Sequence, residues 1–201
     1  MLNLYIIERV LYRISKSDYA DKFVLKGGLL LYTILEDKAR TTKDIDMLAR
    51  QLNNSLENLE TIFKNICSII AEDAIYFDLS TLKVERIKED ADYEGVRVRV
   101  TAFLDRTKKV LQLDIGFGDI IVPDTIKMEY PSLLEMEKPI IKAYSLESVI
   151  AEKFQAMIYL AEANSRMKDF YDIYSLSQLY NFDGTILKEA VEGTFKNWME
   201  L

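Results

Sequence analysis

The amino-acid sequence predicts an α+β protein: a mixed, mostly antiparallel sheet flanked by helices, with a further helical segment at the C-terminal end. Apolar residues recur at helical spacing near both ends of the chain. Between residues 75 and 122 the spacing changes to every second residue. Hydrophobic residues make up 49% and aromatics 11% of the 201 residues, with only seven Gly and three Pro, so the chain reads as globular and not disordered.

Residues 2 to 16 place Leu4, Ile7, Leu11 and Ile14 on one helical stripe. In FVLKGGLLLYTIL a short apolar run passes through Lys26-Gly27-Gly28 into a continuous apolar stretch, which suits a tight glycine turn opening a buried helix. TTKDIDML follows, where Ile45 and Met47 alternate with Asp44 and Asp46; a strand there puts both carboxylates on one face. Helical periodicity returns over 52 to 72 through Leu52, Leu56, Leu59, Phe63, Ile66 and Ile70. Period-two segments follow, clearest at 95–101 and at 110–115, and read as neighbouring antiparallel strands. Pro123 and Pro131 mark a loop, and from about Ser145 onward the pattern is helical. There is no repeat and no low-complexity linker. The expected organisation is a sheet-bearing core over 1–140 that carries an acidic site, with helices over 141–201 packing on it and completing that site.

Composition narrows the chemistry. No run approaches 18 uninterrupted apolar residues, and Glu8, Arg9 and Arg13 break the first one, which argues against a membrane span and a secretory signal. A single cysteine, Cys67, excludes an internal disulfide and fits the reducing cytoplasm. The absence of histidine removes histidine bases and most zinc sites, leaving carboxylates, lysines, tyrosines and oxygen-ligated hard metals. A net charge of −7 makes the chain as a whole no attractor of nucleic acid.

Asp44-Ile45-Asp46 is the first candidate. Two strand carboxylates at i and i+2 stand about 6.6 Å apart at Cα, so they can converge on one cation or bridge two. Read blandly, the triplet is a solvated strand end. Gly27 and Gly28 lie upstream, where a helix start would aim free N–H groups at a phosphate; the bland reading is an ordinary turn. Asp114 shares a strand face with Gln112, opposite Leu111, Leu113 and Ile115, and either joins the acidic pair or caps the Gly116-Phe117-Gly118 turn. Lys153 falls inside the apolar stripe of a helix, where an ammonium needs a partner; it either snorkels or binds phosphate. In RMKDFYDIYSL, Asp169 and Asp172 are helical neighbours, and spacing alone describes an exposed helix laced with ion pairs. Arg97 and Arg99 share a strand face that is either solvated or turned over the acidic site.

Taken in order, LKGGLLLYTILEDKARTTKDIDM, LQLDIGFGD, YSLESVIAEKFQAM and RMKDFYDIYSL resemble the AbiEii/AbiGii toxin family of nucleotidyltransferases, from about Phe23 to about Leu179. The resemblance implies a polymerase-β-like nucleotidyltransferase domain followed by helices. Lys26, Gly27 and Gly28 would then line the triphosphate, and Asp44, Asp46 and Asp114 would hold Mg²⁺ or Mn²⁺. Lys153 would contact nucleotide phosphate, while Arg166, Lys168, Asp169 and Asp172 would match the family's R-x-K-D-x-x-D element, Asp169 acting near the acceptor or positioning the lysine. It further implies transfer of a nucleotide from an NTP to a tRNA 3′ end or a protein side chain, and a cognate antitoxin. The family pattern departs here at Gly28, which lacks a serine hydroxyl, and at Leu201, where many members continue into a larger helical domain, as expected of a truncated chain or a minimal member. Two rivals remain: a catalytically silent nucleotide-binding module and a Mg²⁺-dependent nuclease.

Overall fold

A computed structural model describes residues 1–35, 42, 44–89, 93–160 and 167–199. Its helices are α1 (Leu2–Lys16), α2 (Gly27–Leu35), α3 (Leu56–Cys67), α4 (Leu146–Leu160), α5 (Met167–Leu179) and α6 (Gly184–Met199). The strands are β1 (Phe23–Lys26), β2 (Ile45–Ala49), β3 (Ile75–Glu89), β4 (Tyr93–Leu104), β5 (Thr107–Phe117), β6 (Ile126–Glu129) and β7 (Ile140–Ala143). They form one sheet in the order β3-β4-β5-β2-β1-β7-β6. The pairs β1–β7 and β2–β5 are parallel and the other four are antiparallel, the mixed, mostly antiparallel sheet expected.

Strand alternation divides the sheet into two unlike faces. Leu25, Ile45, Met47, Val96, Val98, Leu113 and Ile115 are buried on one of them. Helices α1 and α3 belong to this side, where the Phe23 and Phe63 rings meet at 5.5 Å between centroids. The other face carries Lys26, Asp46, Asp114 and Arg97. The period-two pattern is therefore a two-sided design: apolar residues bury the core and polar residues stay on the working face.

The N-terminal helix departs from a simple amphipathic plan. Glu8, Arg9 and Arg13, which interrupt the apolar run in the sequence, are buried along with it. Arg13 grips Asp73 with both terminal nitrogens, at 2.5 and 3.0 Å, and Arg9 Nε lies 3.2 Å from the same carboxylate. Glu8 accepts from Ser132 Oγ at 2.7 Å and Leu133 N at 2.8 Å. The cluster ties the first helix to two distant loops.

The helix expected over 52 to 72 is shorter. Ser55 caps its start by accepting from Asn58 N at 3.3 Å. The helix stops at Cys67, so Ile70 is almost fully exposed and not on the packing stripe. Its periodic spacing is cut off by the turn that returns the chain to β3, where Arg13 Nε donates to the carbonyl of Ile69 at 3.0 Å.

Candidate active site

Strand register builds the site. Lys26 pairs with Asp46, Asp46 with Asp114, Asp114 with Arg97, and Arg97 with Glu85, one row across β1, β2, β5, β4 and β3. Cross-strand neighbours on one face have Cβ atoms about 4.5–5.5 Å apart, so the row sets two acids between two bases. Asp44, just before β2, joins through Gln112, whose Nε2 lies 3.5 Å from Asp44 Oδ1 and 3.4 Å from Asp114 Oδ2. The three aspartates thus share one face and are graded in burial: Asp44 exposed, Asp46 half-buried and Asp114 buried.

The glycine turn closes onto this row. Gly27 has φ +68°, and a Cβ there would lie 2.1 Å from Asp46 Oδ2. The backbone N–H of Gly28, at the start of α2, donates to the Asp46 carboxylate. Glycine is needed here for backbone conformation and for contact with an acid. Burial pushes the Asp46 carboxyl above the usual carboxylate range; nearby Lys26 opposes the shift and nearby Asp114 adds to it.

Arg97 accounts for Asp114. Its Nε and Nη2 donate to the two carboxylate oxygens at 2.7 Å each, a fork-on-fork pair. Of the two readings for Arg97 and Arg99, the structure places Arg97 on the acidic site. Arg99 stands one row out, on Gln112 Oε1 at 3.2 Å and Glu85 Oε1 at 2.7 Å. Among the described residues no three Asp, Glu, Cys or His side chains close into a ready-made ligand set.

Lys26 anchors a second cluster, which the sequence reading did not single out. Its Nζ donates to Asp119 Oδ2 at 2.5 Å and Glu152 Oε1 at 3.1 Å. The buried Tyr144 hydroxyl donates to the same two carboxylates, at 3.1 Å to Glu152. Burial raises the Glu152 carboxyl, with Lys26 opposing the rise, and burial raises the Tyr144 hydroxyl as well. Asp119 lies within the quoted LQLDIGFGD segment and Glu152 adjoins Lys153, but neither carries a spacing signal. Only the approach of β7 and α4 to β1 joins them, with Tyr144 N donating to Leu25 O at 3.0 Å.

Lys153 lies between α4 and α5. Its Nζ donates to Asp169 Oδ1 at 2.9 Å and Asp172 Oδ2 at 2.6 Å. Both aspartates are buried, which corrects the reading of α5 as a solvated, ion-paired helix on this side. Lys153 on α4 and Asp169 and Asp172 on α5 are brought together as one unit, and α5 adjoins α2. Lys168 is exposed, and Arg166 lies outside the described residues.

The family model for the nucleotidyl transferase AbiEii toxin of a type IV toxin–antitoxin system matches residues 9–198. The chain belongs to the AbiEii family. It is accordingly a nucleotidyltransferase of a toxin family, as the four motifs implied. No curated protein sequence matches the chain. Among solved structures it is similar to JHP933 from Helicobacter pylori, with a TM-score of 0.55 and 17% identity over 96% of this chain and 73% of that one. A candidate nucleotidyltransferase, also from Helicobacter pylori, gives 0.54 and 19% identity over 96% and 75%. These likenesses carry the fold, and the fold is the one expected. No helix among the described residues is long and apolar enough to cross a membrane.

Proposed function

We propose that this AbiEii-family chain transfers a nucleoside monophosphate from an NTP to an acceptor hydroxyl, with Asp44, Asp46 and Asp114 holding Mg²⁺ or Mn²⁺. The observation that carries the reading is the register of Asp46 opposite Asp114, beside a glycine turn whose N–H already binds the Asp46 carboxylate. The donors suit a hard cation. They are all oxygen, and Asp46 is a desolvated carboxylate beside like charges, whose cost a cation relieves. A bound divalent ion would supply charge neutralisation at the reacting phosphate and lower the pKa of the attacking hydroxyl.

The remaining residues have their own tasks. The start of α2 offers backbone N–H groups and a positive helix end to the triphosphate. Lys26 limits repulsion within the acidic row, and Asp119 and Glu152 fix its ammonium. Asp169 and Asp172 hold Lys153, which we assign to the leaving pyrophosphate together with Lys168 and Arg166. An acceptor oxygen forms a bond to the α-phosphorus, the bond to the bridging oxygen breaks, pyrophosphate leaves, and the acceptor proton passes to Asp114 or to solvent. We assign the acceptor to a tRNA 3′ end or a protein side chain, and the restraint of the toxin to a cognate antitoxin in the cytoplasm.

Incubation with labelled NTPs, Mg²⁺, total tRNA and cell protein tests this. Label in RNA or protein supports transfer and names the acceptor class. Shortened RNA without label would point to a nuclease, and bound nucleotide without product to a silent module. Asp44→Ala and Asp46→Ala are each expected to lower incorporation at least ~100-fold while remaining folded, the loss of one key electrostatic group. If the chain is a toxin in cells, expressing it arrests growth and expressing D46A does not.

A further inference from the structure

Arg97 holds the buried Asp114 through both carboxylate oxygens, so the third acid of the site is occupied by a cation of the protein's own. Asp44 and Asp46 carry no comparable guanidinium among the described residues. On its other side Arg97 faces Glu85 in register on β3. The Arg97 side chain is 27% exposed, so it is open to solvent and not locked in the core. Aspartate on one flank and glutamate on the other give the guanidinium two berths on the same sheet face, the second shared with Arg99, which already donates to Glu85 Oε1 at 2.7 Å.

We infer that Arg97 is a built-in placeholder for the divalent cation: it occupies Asp114 in the resting site and gives Asp114 up, moving toward Glu85, when metal enters. This rests on the reading of Asp44, Asp46 and Asp114 as the metal-holding set. The physics is competition for the same lone pairs. A carboxylate with both oxygens in charge-assisted hydrogen bonds is a poor ligand until those bonds are exchanged. In return, the buried acid is never left uncompensated while the site waits, a situation costly for any desolvated carboxylate. Arg97 is thus a positioning residue that sets how tightly the site takes metal, separately from how fast it reacts.

The test is Mn²⁺ affinity, read by electron paramagnetic resonance or calorimetry without nucleotide. Arg97→Ala is expected to bind Mn²⁺ at least about tenfold more tightly than the wild type, the scale of one charge-assisted pair. Arg97→Lys, which keeps the charge but loses the fork, should fall between them. Arg99→Ala removes a neighbouring positive charge that holds Glu85 and Gln112 but makes no bond to Asp114; it leaves the Arg97–Asp114 fork in place and should tighten binding much less. Unchanged or weaker binding in Arg97→Ala overturns the inference in favour of a purely orienting arginine; equal tightening in Arg99→Ala overturns it in favour of a diffuse charge effect. Asp46→Asn separates the two readings. If wild type and Asp46→Asn take up Mn²⁺ alike, the metal assignment fails; if Asp46→Asn alone loses it, that assignment stands whatever Arg97 does. Arg97→Gln, which removes the charge and the fork but keeps a polar side chain with an amide donor, serves if the alanine variant does not fold.

Discussion

Gly27 and Asp46 are the two residues whose local physics most directly limits what the site tolerates. An alanine at 27 would have to hold φ near +68° and place its Cβ on the Asp46 carboxylate. The backbone strain alone costs about 1–3 kcal/mol. Gly27→Ala should therefore lower Tm by several degrees and also displace the acid, visible as weakened Mn²⁺ binding; a variant with wild-type Tm and wild-type binding contradicts the close approach. Asp46 works against stability. Its folded pKa is raised by burial, so the folded state favours the protonated acid, and ionisation destabilises the fold once the pH is above that folded pKa. Metal-free protein should accordingly gain stability as the pH falls through the folded pKa of Asp46. Asp46→Asn, which still accepts from Gly28, should raise the metal-free Tm at pH 7 while abolishing transfer. Added Mn²⁺ should raise the wild-type Tm and not that of the variant.

Among the elements, the contact of α4 with α5 depends on a buried charge group. Lys153 Nζ binds Asp169 and Asp172, and the two aspartates are almost wholly enclosed. Removing the ammonium leaves two neighbouring buried carboxylates, and Lys153→Met should cost about 3–5 kcal/mol in urea unfolding. Adding Asp169→Asn and Asp172→Asn should return most of that loss, because the repulsion of two buried carboxylates that have lost their shared ammonium causes it. Persistent instability of the triple variant would mean that lost packing, not charge, is responsible. Activity is the separating measure: recovered stability without recovered transfer would assign the Lys153–Asp169–Asp172 unit a part in the chemistry. The β4–β5 hairpin turns at Asp105 and Arg106, with Asp105 at φ 50°, a conformation that Asp adopts more readily than most residues. That turn fixes the register that brings Arg97 beside Asp114.

Across the molecule, the N-terminal helix is held to the body by the Asp73 carboxylate, shared by Arg9 and Arg13. Asp73→Ala leaves both arginines without that buried partner and should destabilise the protein by about 3–5 kcal/mol. A native-state reporter lies on α3, which packs beside α1. Burial pushes the Cys67 thiol up to about 12, so its reaction with iodoacetamide at pH 8 should be slow in the folded protein and fast in denaturant. In Asp73→Ala the native rate should rise in proportion to the opened population. An unchanged rate would show that α1 is not what protects this side of the core.

The sequence determined the class of fold, the candidate acids and the side of its own strand that each occupies. Side-chain alternation at 44–47 and 111–115 depends only on backbone geometry, so Asp44, Asp46 and Asp114 could be assigned to faces before any strand was paired. It also marked Lys153 as a residue in need of a partner, since a lysine within an apolar stripe states its own cost. The partners were beyond its reach. That Arg97 lies on Asp114, that Lys26 answers to Asp119 and Glu152, and that Glu8, Arg9 and Arg13 are enclosed and not solvated all depend on pairings across 17 to 126 residues of chain and on loops closing over a helix. Local periodicity reports which side of an element a residue occupies; what stands opposite is set by register and by the order of strands in the sheet, and only the folded chain decides those.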